Sequence, residues 1–155
     1  MGETLGCAVI DSGCSKTVAG KTWLNCFLET LNEDELMNIH RKESNQVFKF
    51  GKGEPIKSKG KVFIPVILGK KNVTIELDVV DAHIPLLLSK EALQKAETVL
   101  DFKNDVAIMF GEKQNIISTN SGHYAIPLSV AVDEKCVEDQ IILVSNVTVT
   151  ESDPN

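Results

Sequence analysis

Apolar and polar positions alternate with a period of two through much of this chain, and only short stretches widen to helical spacing. Residues 5–10 form an apolar run ending in the β-branched pair Val9-Ile10, and Ser12-Gly13 is the turn that stops it. From Lys16 to Leu28 the apolar residues Val18, Trp23, Phe27 and Leu28 predict a segment that packs beneath that turn. Asn32 with Glu35 three residues later reads as a capping box, with Leu31 and Leu36 spaced for a hydrophobic staple. The helix they start is expected to run to His40 or Glu43. It is charged on most faces and so reads as a surface insertion carrying a solvated His40.

Strict alternation begins at Val47-Phe48-Lys49-Phe50, breaks at Gly51-Lys52-Gly53-Glu54-Pro55, and resumes through Ile56, Val62, Ile64 and Val66. This predicts a β-hairpin over 47–69. Its tip falls at Gly51 and Gly53 or at the competing turn Ser58-Lys59-Gly60. After the turn at 69–72, Val73, Ile75, Leu77 and Val79 share one face of a further strand. The fully apolar Ile84-Pro85-Leu86-Leu87-Leu88 enters a helix over 90–97, capped by Ser89 with Leu88 and Leu93 as its staple. Val99–Phe102 and Val106–Phe110 flank a turn, and 114–118 and 123–128 read as strands. The tail from Ser129 holds one apolar run, Ile141–Val144, which either adds a strand or docks loosely; Glu151–Asn155 is expected to be disordered. The domain reading is a body over 1–128 and an extension over 129–155.

Composition narrows the function classes. The 155 residues suffice for one domain with a real core, and 43% apolar with 25% charged residues is ordinary for a globular chain. A net charge of −6 argues against a nucleic-acid surface, and no apolar run approaches the roughly 20 residues of a membrane span. The N-terminus lacks a basic region followed by an apolar stretch, so a secretory signal is not expected. Cys7, Cys14, Cys26 and Cys136 show no C-x-x-C pairing and no histidine at zinc-like spacing. They read as free thiols of a reducing, cytoplasmic setting, with no metal or cofactor expected. A metal site through Cys7, Cys14, Cys26 and His40 is conceivable but poorly spaced. The Asn-x-Thr triplets at Asn72 and Asn146 read as strand residues.

The candidate chemistry lies in Asp11-Ser12-Gly13. A carboxylate placed where a strand stops in a tight turn is held on two sides, partly buried, with its oxygens near the turn's N–H groups. The same triplet also suits an ordinary turn in which Asp11 merely caps its own loop. In its apolar setting the triplet resembles the catalytic loop of retropepsin-like aspartic proteases, the kind encoded in retroviral and retrotransposon polyproteins. Ile84–Ser89, an apolar strand entering a helix at a small residue, is similar to the family's second element. Phe48–Gly53 and Ser121-Gly122-His123-Tyr124-Ala125-Ile126-Pro127-Leu128 resemble segments of animal retrotransposon polyproteins. The resemblance spans roughly residues 5–128.

It implies a mostly β, closed barrel of retropepsin-like fold, with one main short helix plus an inserted helix, working as a homodimer. It implies Asp11 as the catalytic acid, Ser12 and Gly13 as its loop support, and Cys14, Gly51, Gly53, Ile84 and Leu86 as substrate contacts, with Val18 a further liner. The hairpin over 47–69 would be the flap that closes on a bound peptide. Peptide hydrolysis of this type needs two carboxylates sharing one proton, and no second Asp-Ser/Thr-Gly exists in the chain. The partner acid would come from a second copy. Ser89 stands where the family carries glycine, and Cys14 where it commonly carries alanine. Cys14 there, if exposed, would make activity oxidant-sensitive. His123 reads as a strand or interface residue, because no serine or cysteine nucleophile motif accompanies it. The expected function is an aspartic endopeptidase processing a polyprotein. Its rivals are a catalytically silent dimerisation or peptide-binding module of the same fold, and an unrelated β-rich interaction domain.

Overall fold

The computed structural model describes residues 6–68, 71–130 and 141–143. Strand β1 (Cys7–Ile10) is buried along its whole length, and β2 (Val18–Gly20) follows the Asp11 turn. Between β2 and the next strand come α1 (Lys21–Glu29) and α2 (Glu33–Met37). Then follow β3 (His40–Lys42), β4 (Val47–Phe48), β5 (Ile56–Lys57), β6 (Gly60–Leu68), β7 (Lys71–Val80), β8 (Leu86–Leu88) and α3 (Lys90–Lys95). The chain continues with β9 (Val99–Asp101), β10 (Val106–Met109), β11 (Glu112–Gln114), β12 (Ile117–Ser118), β13 (Tyr124–Val130) and β14 (Ile141–Leu143).

Six of these strands form a closed ring. Strand β13 pairs with β1, β1 with β8, β8 with β2, β2 with β7, β7 with β6, and β6 returns to β13 through Leu128↔Leu68 and Ser129↔Ile67. The chain is therefore a mostly β, closed six-stranded barrel, as expected. Closure satisfies the edges of the ring strands internally, which leaves open edges only on strands hung outside it, such as β3 and β12. The charged side chains of Arg41 and Lys42, both exposed, blunt β3.

Alternation explains the filling. Val62, Ile64, Val66 and Leu68 of β6 face Val73, Ile75, Leu77 and Val79 of β7 inside the ring, joined by Leu86, Leu88 and Ile126. Helix α1 closes one side by burying Trp23, Leu24 and Phe27, the two rings stacked at 5.2 Å.

Several expectations change here. The segment Lys16–Leu28 does pack against the core, but as a strand and a nine-residue helix, longer than α2 or α3. The capping box of Asn32 and Glu35 is present, yet α2 stops at Met37, and His40 sits on β3 because β6 recruits it as His40↔Phe63. The hairpin expected over 47–69 divides: β4 pairs only with β5, while β6 pairs along its whole length with β7. Its tip is the Gly51 turn, and Ser58-Lys59 merely joins β5 to β6. At the far end β13 runs on to Val130, and Ile141–Leu143 adds a strand parallel to β7. Asn72 lies in β7, whereas Cys136, Asn146 and Glu151–Asn155 lie outside the described residues. Among the described residues no helix is long and apolar enough to cross a membrane, and Cys7, Cys14 and Cys26 are free thiols.

Candidate active site

The turn after β1 is fixed from both sides by backbone alone. Asp11 N–H donates to the Leu88 carbonyl at 3.2 Å, and Lys90 N–H donates to the Cys14 carbonyl at 2.9 Å. Within the turn, Cys14 N–H donates to the Asp11 carbonyl at 3.0 Å and Gly13 N–H to Asp11 Oδ1 at 3.1 Å. The carboxylate is thus half-buried and oriented, while Ser12 and Gly13 are exposed.

Beneath it lies a fully buried link. Ser89 N–H donates to Thr17 Oγ1 at 3.1 Å, the Thr17 hydroxyl donates to Ser89 Oγ at 3.1 Å, and Ala92 N–H donates to that same oxygen. Ser89 therefore caps α3 and bolts β8 to the strand that leaves the Asp11 turn. Thr17 was not singled out in the sequence; a lone threonine carries no signal without its partner. Gly20 is also fixed by packing, since a Cβ there would lie 2.2 Å from the Ala82 carbonyl oxygen.

Across from the turn stands the β4–β5 hairpin. Phe48 is buried in a small cluster with Val18 and Val80, and it stacks on Phe50 at 6.1 Å. Gly51 takes φ +61° at the tip, where nothing crowds it. A cavity of about 430 Å³ separates hairpin from turn, lined by Asp11, Gly13, Cys14, Phe48, Phe50, Gly51 and Leu87 among others. Gly53 lies at the tip outside that lining, its N–H donating to the Phe50 carbonyl.

The hairpin's two roots meet on one buried acid. Ser44, before β4, donates to Asp78 Oδ1 at 2.5 Å, and Ser58, after β5, donates to the same atom at 2.8 Å. Lys61 Nζ holds the other oxygen at 3.2 Å. Lys61 also lies 3.4 Å from Glu76 Oε2, close enough for charge pairing but without hydrogen-bond alignment. Nothing in the local pattern marks this cluster, because Glu76 and Asp78 look like ordinary polar positions of an alternating strand.

A second cavity, of about 260 Å³, also borders Asp11. Val9, Ile84, Pro85 and Leu87 form its apolar side, and Thr119, Ser121 and His123 form the other. Ile84, a substrate contact by the resemblance, lines this cavity. Leu86 is a correction: it is 1% exposed and points into the barrel core, so its neighbour Leu87 faces both cavities instead. Successive strand residues face opposite ways, and a run of three leucines hides which is which. Val18 is buried under the hairpin and lines neither cavity. A larger cavity of about 510 Å³, between α1, β3 and β6, is lined by five cations and by none of the candidate site residues.

Asp11 is the one carboxylate lining either cavity beside the turn, among the described residues. Burial raises the Cys14 thiol above its ordinary value; its bond to the Lys16 carbonyl at 2.8 Å opposes this and the Asp11 charge adds to it. The thiol is half-buried, so the exposure on which oxidant sensitivity depends is only partly met. Burial likewise lowers the Lys16 ammonium, against the pull of Glu91.

No protein-family model matches the chain, and no curated protein sequence does. Among solved structures, it is similar to the retroviral protease-like domain of Ddi1 from Leishmania major, at 15% identity and a TM-score of 0.38. That match covers 82% of this chain and 86% of that domain. A score of this size leaves the fold to the strand pairings given above.

Proposed function

We propose that the chain is a retropepsin-like aspartic endopeptidase that acts as a homodimer and processes a polyprotein. The observation that carries this reading is one oriented, half-buried carboxylate, on a turn locked by backbone bonds, facing a hairpin across an open cavity with no second acid lining it among the described residues. A lone carboxylate does not complete the chemistry. Two copies related by a twofold axis would set Asp11 beside its mate, where two close like charges cannot both ionise and one proton is shared. The ionised member takes a proton from water as the water attacks the peptide carbonyl. The protonated member donates to the carbonyl oxygen, and the resulting tetrahedral centre collapses with proton transfer to the leaving amine.

Ser12 and Gly13, exposed on the turn, are the groups available to meet the second copy and the substrate backbone. The β4–β5 hairpin is the flap, and an extended peptide lies between it and Asp11. The polyprotein context rests on the segments Phe48–Gly53 and Ser121–Leu128 that resemble those of animal retrotransposons.

The test pairs sedimentation with titration by a statine-type inhibitor and with peptide cleavage at mildly acidic pH. A dimer that binds the inhibitor and cleaves, with cleavage lost in Asp11→Asn, is expected. Cleavage retained in Asp11→Asn ends the proposal. A dimer that binds statine without turnover identifies a silent peptide-binding module.

A further inference from the structure

The smaller cavity beside Asp11 has two unlike walls. Val9, Ile84, Pro85 and Leu87 offer only carbon to an occupant. Opposite them, Thr119, Ser121 and His123 form a connected run of polar groups, all within one turn between β12 and β13. His123 N–H donates to Thr119 Oγ1 at 3.1 Å, Thr119 Oγ1 lies 2.9 Å from Ser121 Oγ, and Ser121 Oγ lies 3.1 Å from His123 Nδ1. The ordering that spends every proton inside this run sends the Thr119 hydroxyl to Ser121 and the Ser121 hydroxyl to Nδ1. Nε2 then carries the ring's proton in the neutral state, and it carries one in the charged state whatever the ordering. The run thus holds the imidazole by one nitrogen and leaves the other as a free donor.

We propose that His123 is a specificity-determining residue: its Nε2–H reads a carboxamide side chain, glutamine above all, of a peptide residue next to the bond presented to Asp11. This rests on the reading of Asp11 as the acid of a peptide-binding site. An apolar wall suits the methylene stem of such a side chain, and the donor suits its carbonyl tip. The hydroxyls of Ser121 and Thr119 can accept from the amide nitrogen. A glutamate of the same shape is disfavoured, because the Asp11 carboxylate borders the same cavity and like charges repel. Leucine fits the apolar wall but leaves the donor unpaired once water is excluded.

The experiment uses the full chain and three hydroxyethylene pseudopeptides that differ only in carrying Gln, Leu or Glu beside the isostere. Binding is read by calorimetry, and His123 is followed by its imidazole ¹⁵N shifts. The Gln compound is expected to bind about tenfold more tightly than the Leu compound, one good hydrogen bond's worth, and to move the Nε2 resonance. His123→Ala is expected to erase the Gln preference, with Leu binding no weaker than in the native chain, and His123→Gln, which keeps an N–H donor, to restore part of that preference. Equal binding of Gln and Leu compounds by the native chain, or a preference that survives His123→Ala, overturns the inference, as does failure of all three to bind. Turnover of ordinary peptides is measured separately. Gln-selective binding without turnover sinks the protease and leaves His123 its role; turnover without Gln selectivity does the reverse.

Discussion

The two jaws of the site are built on opposite plans. The Asp11 turn is held by main-chain bonds to Leu88 and Lys90 and by the buried Thr17–Ser89 link, so its geometry depends little on which side chains face the cavity. The β4–β5 hairpin has two residues in each strand and one aromatic anchor, Phe48, and its roots hang on the hydroxyls of Ser44 and Ser58 at Asp78. Under the proposed function the acid must be held still, whereas a flap that admits and releases a peptide must move. The contrast teaches that the turn is held by main-chain bonds to the barrel, whereas the hairpin reaches it through two serine hydroxyls, the Phe48 ring and one main-chain bond, Lys59 N–H to the Val79 carbonyl at 2.7 Å.

Substitutions can break each plan separately. The largest expected effect is on activity: Asp11→Asn should lower peptide turnover by ~10²–10⁴-fold, the range for losing a positioned acid–base group. Its melting temperature should hardly change, because the Asn oxygen still accepts from Gly13 N–H; a large drop in stability with turnover intact would refute the assignment. Next comes Asp78→Ala, which strips two hydroxyls of their acceptor and leaves buried Lys61 with only the poorly aligned Glu76. Urea denaturation should show a loss of about 3–5 kcal/mol, as for breaking a buried charge pair, and hydrogen exchange over 47–57 should speed up more than over β1.

Thr17→Val, near in shape but without the hydroxyl, orphans the Ser89 N–H and should cost ~1–3 kcal/mol, with exchange rising at Asp11–Cys14 instead of the hairpin. If both substitutions loosened both jaws alike, the distinction drawn between them would fail. The smallest effect is at Cys14. With its thiol raised by burial, it should react with iodoacetamide more slowly than free cysteine at pH 8, and the rate should climb as pH rises through the raised value. Asp11→Asn removes a charge that favours the protonated thiol, so the same rate should increase modestly in that variant.

These particulars also show where sequence reading succeeds. An apolar run that ends in Asp-Ser-Gly announces its own turn, and the capping box at Asn32 announces its helix, because in both cases the partners lie within a few residues. Helix α1 went unseen for a matching reason: its N-cap is Gly20, with no side-chain cap and no acid in the first turn, so no start signal exists. The spacing of Trp23, Leu24 and Phe27 was the remaining clue. Alternation marks Ile56 to Val66 as strand but cannot say that β6 takes β7, not β4, as its partner. In β8 the apolar character of both faces concealed that Leu87, not Leu86, looks outward. Asp78 takes its partners from Ser44 and Ser58, tens of positions away, and the apolar wall facing His123 comes from Val9 and from Ile84, Pro85 and Leu87. Local pattern carries neither.

Because both serines at the hairpin's foot share a single acceptor atom, the two ends of that element cannot drift apart without one of them letting go. The tip can swing only as an arm on a fixed foot. Length should therefore be tolerated unevenly: residues added between Lys49 and Pro55 would merely lengthen the tip, while a single residue inserted at 44–46 or 58–60 would lift a serine off Asp78 and shift the main-chain bonds of Ser58 to Gln46 and of Lys59 to Val79 out of register.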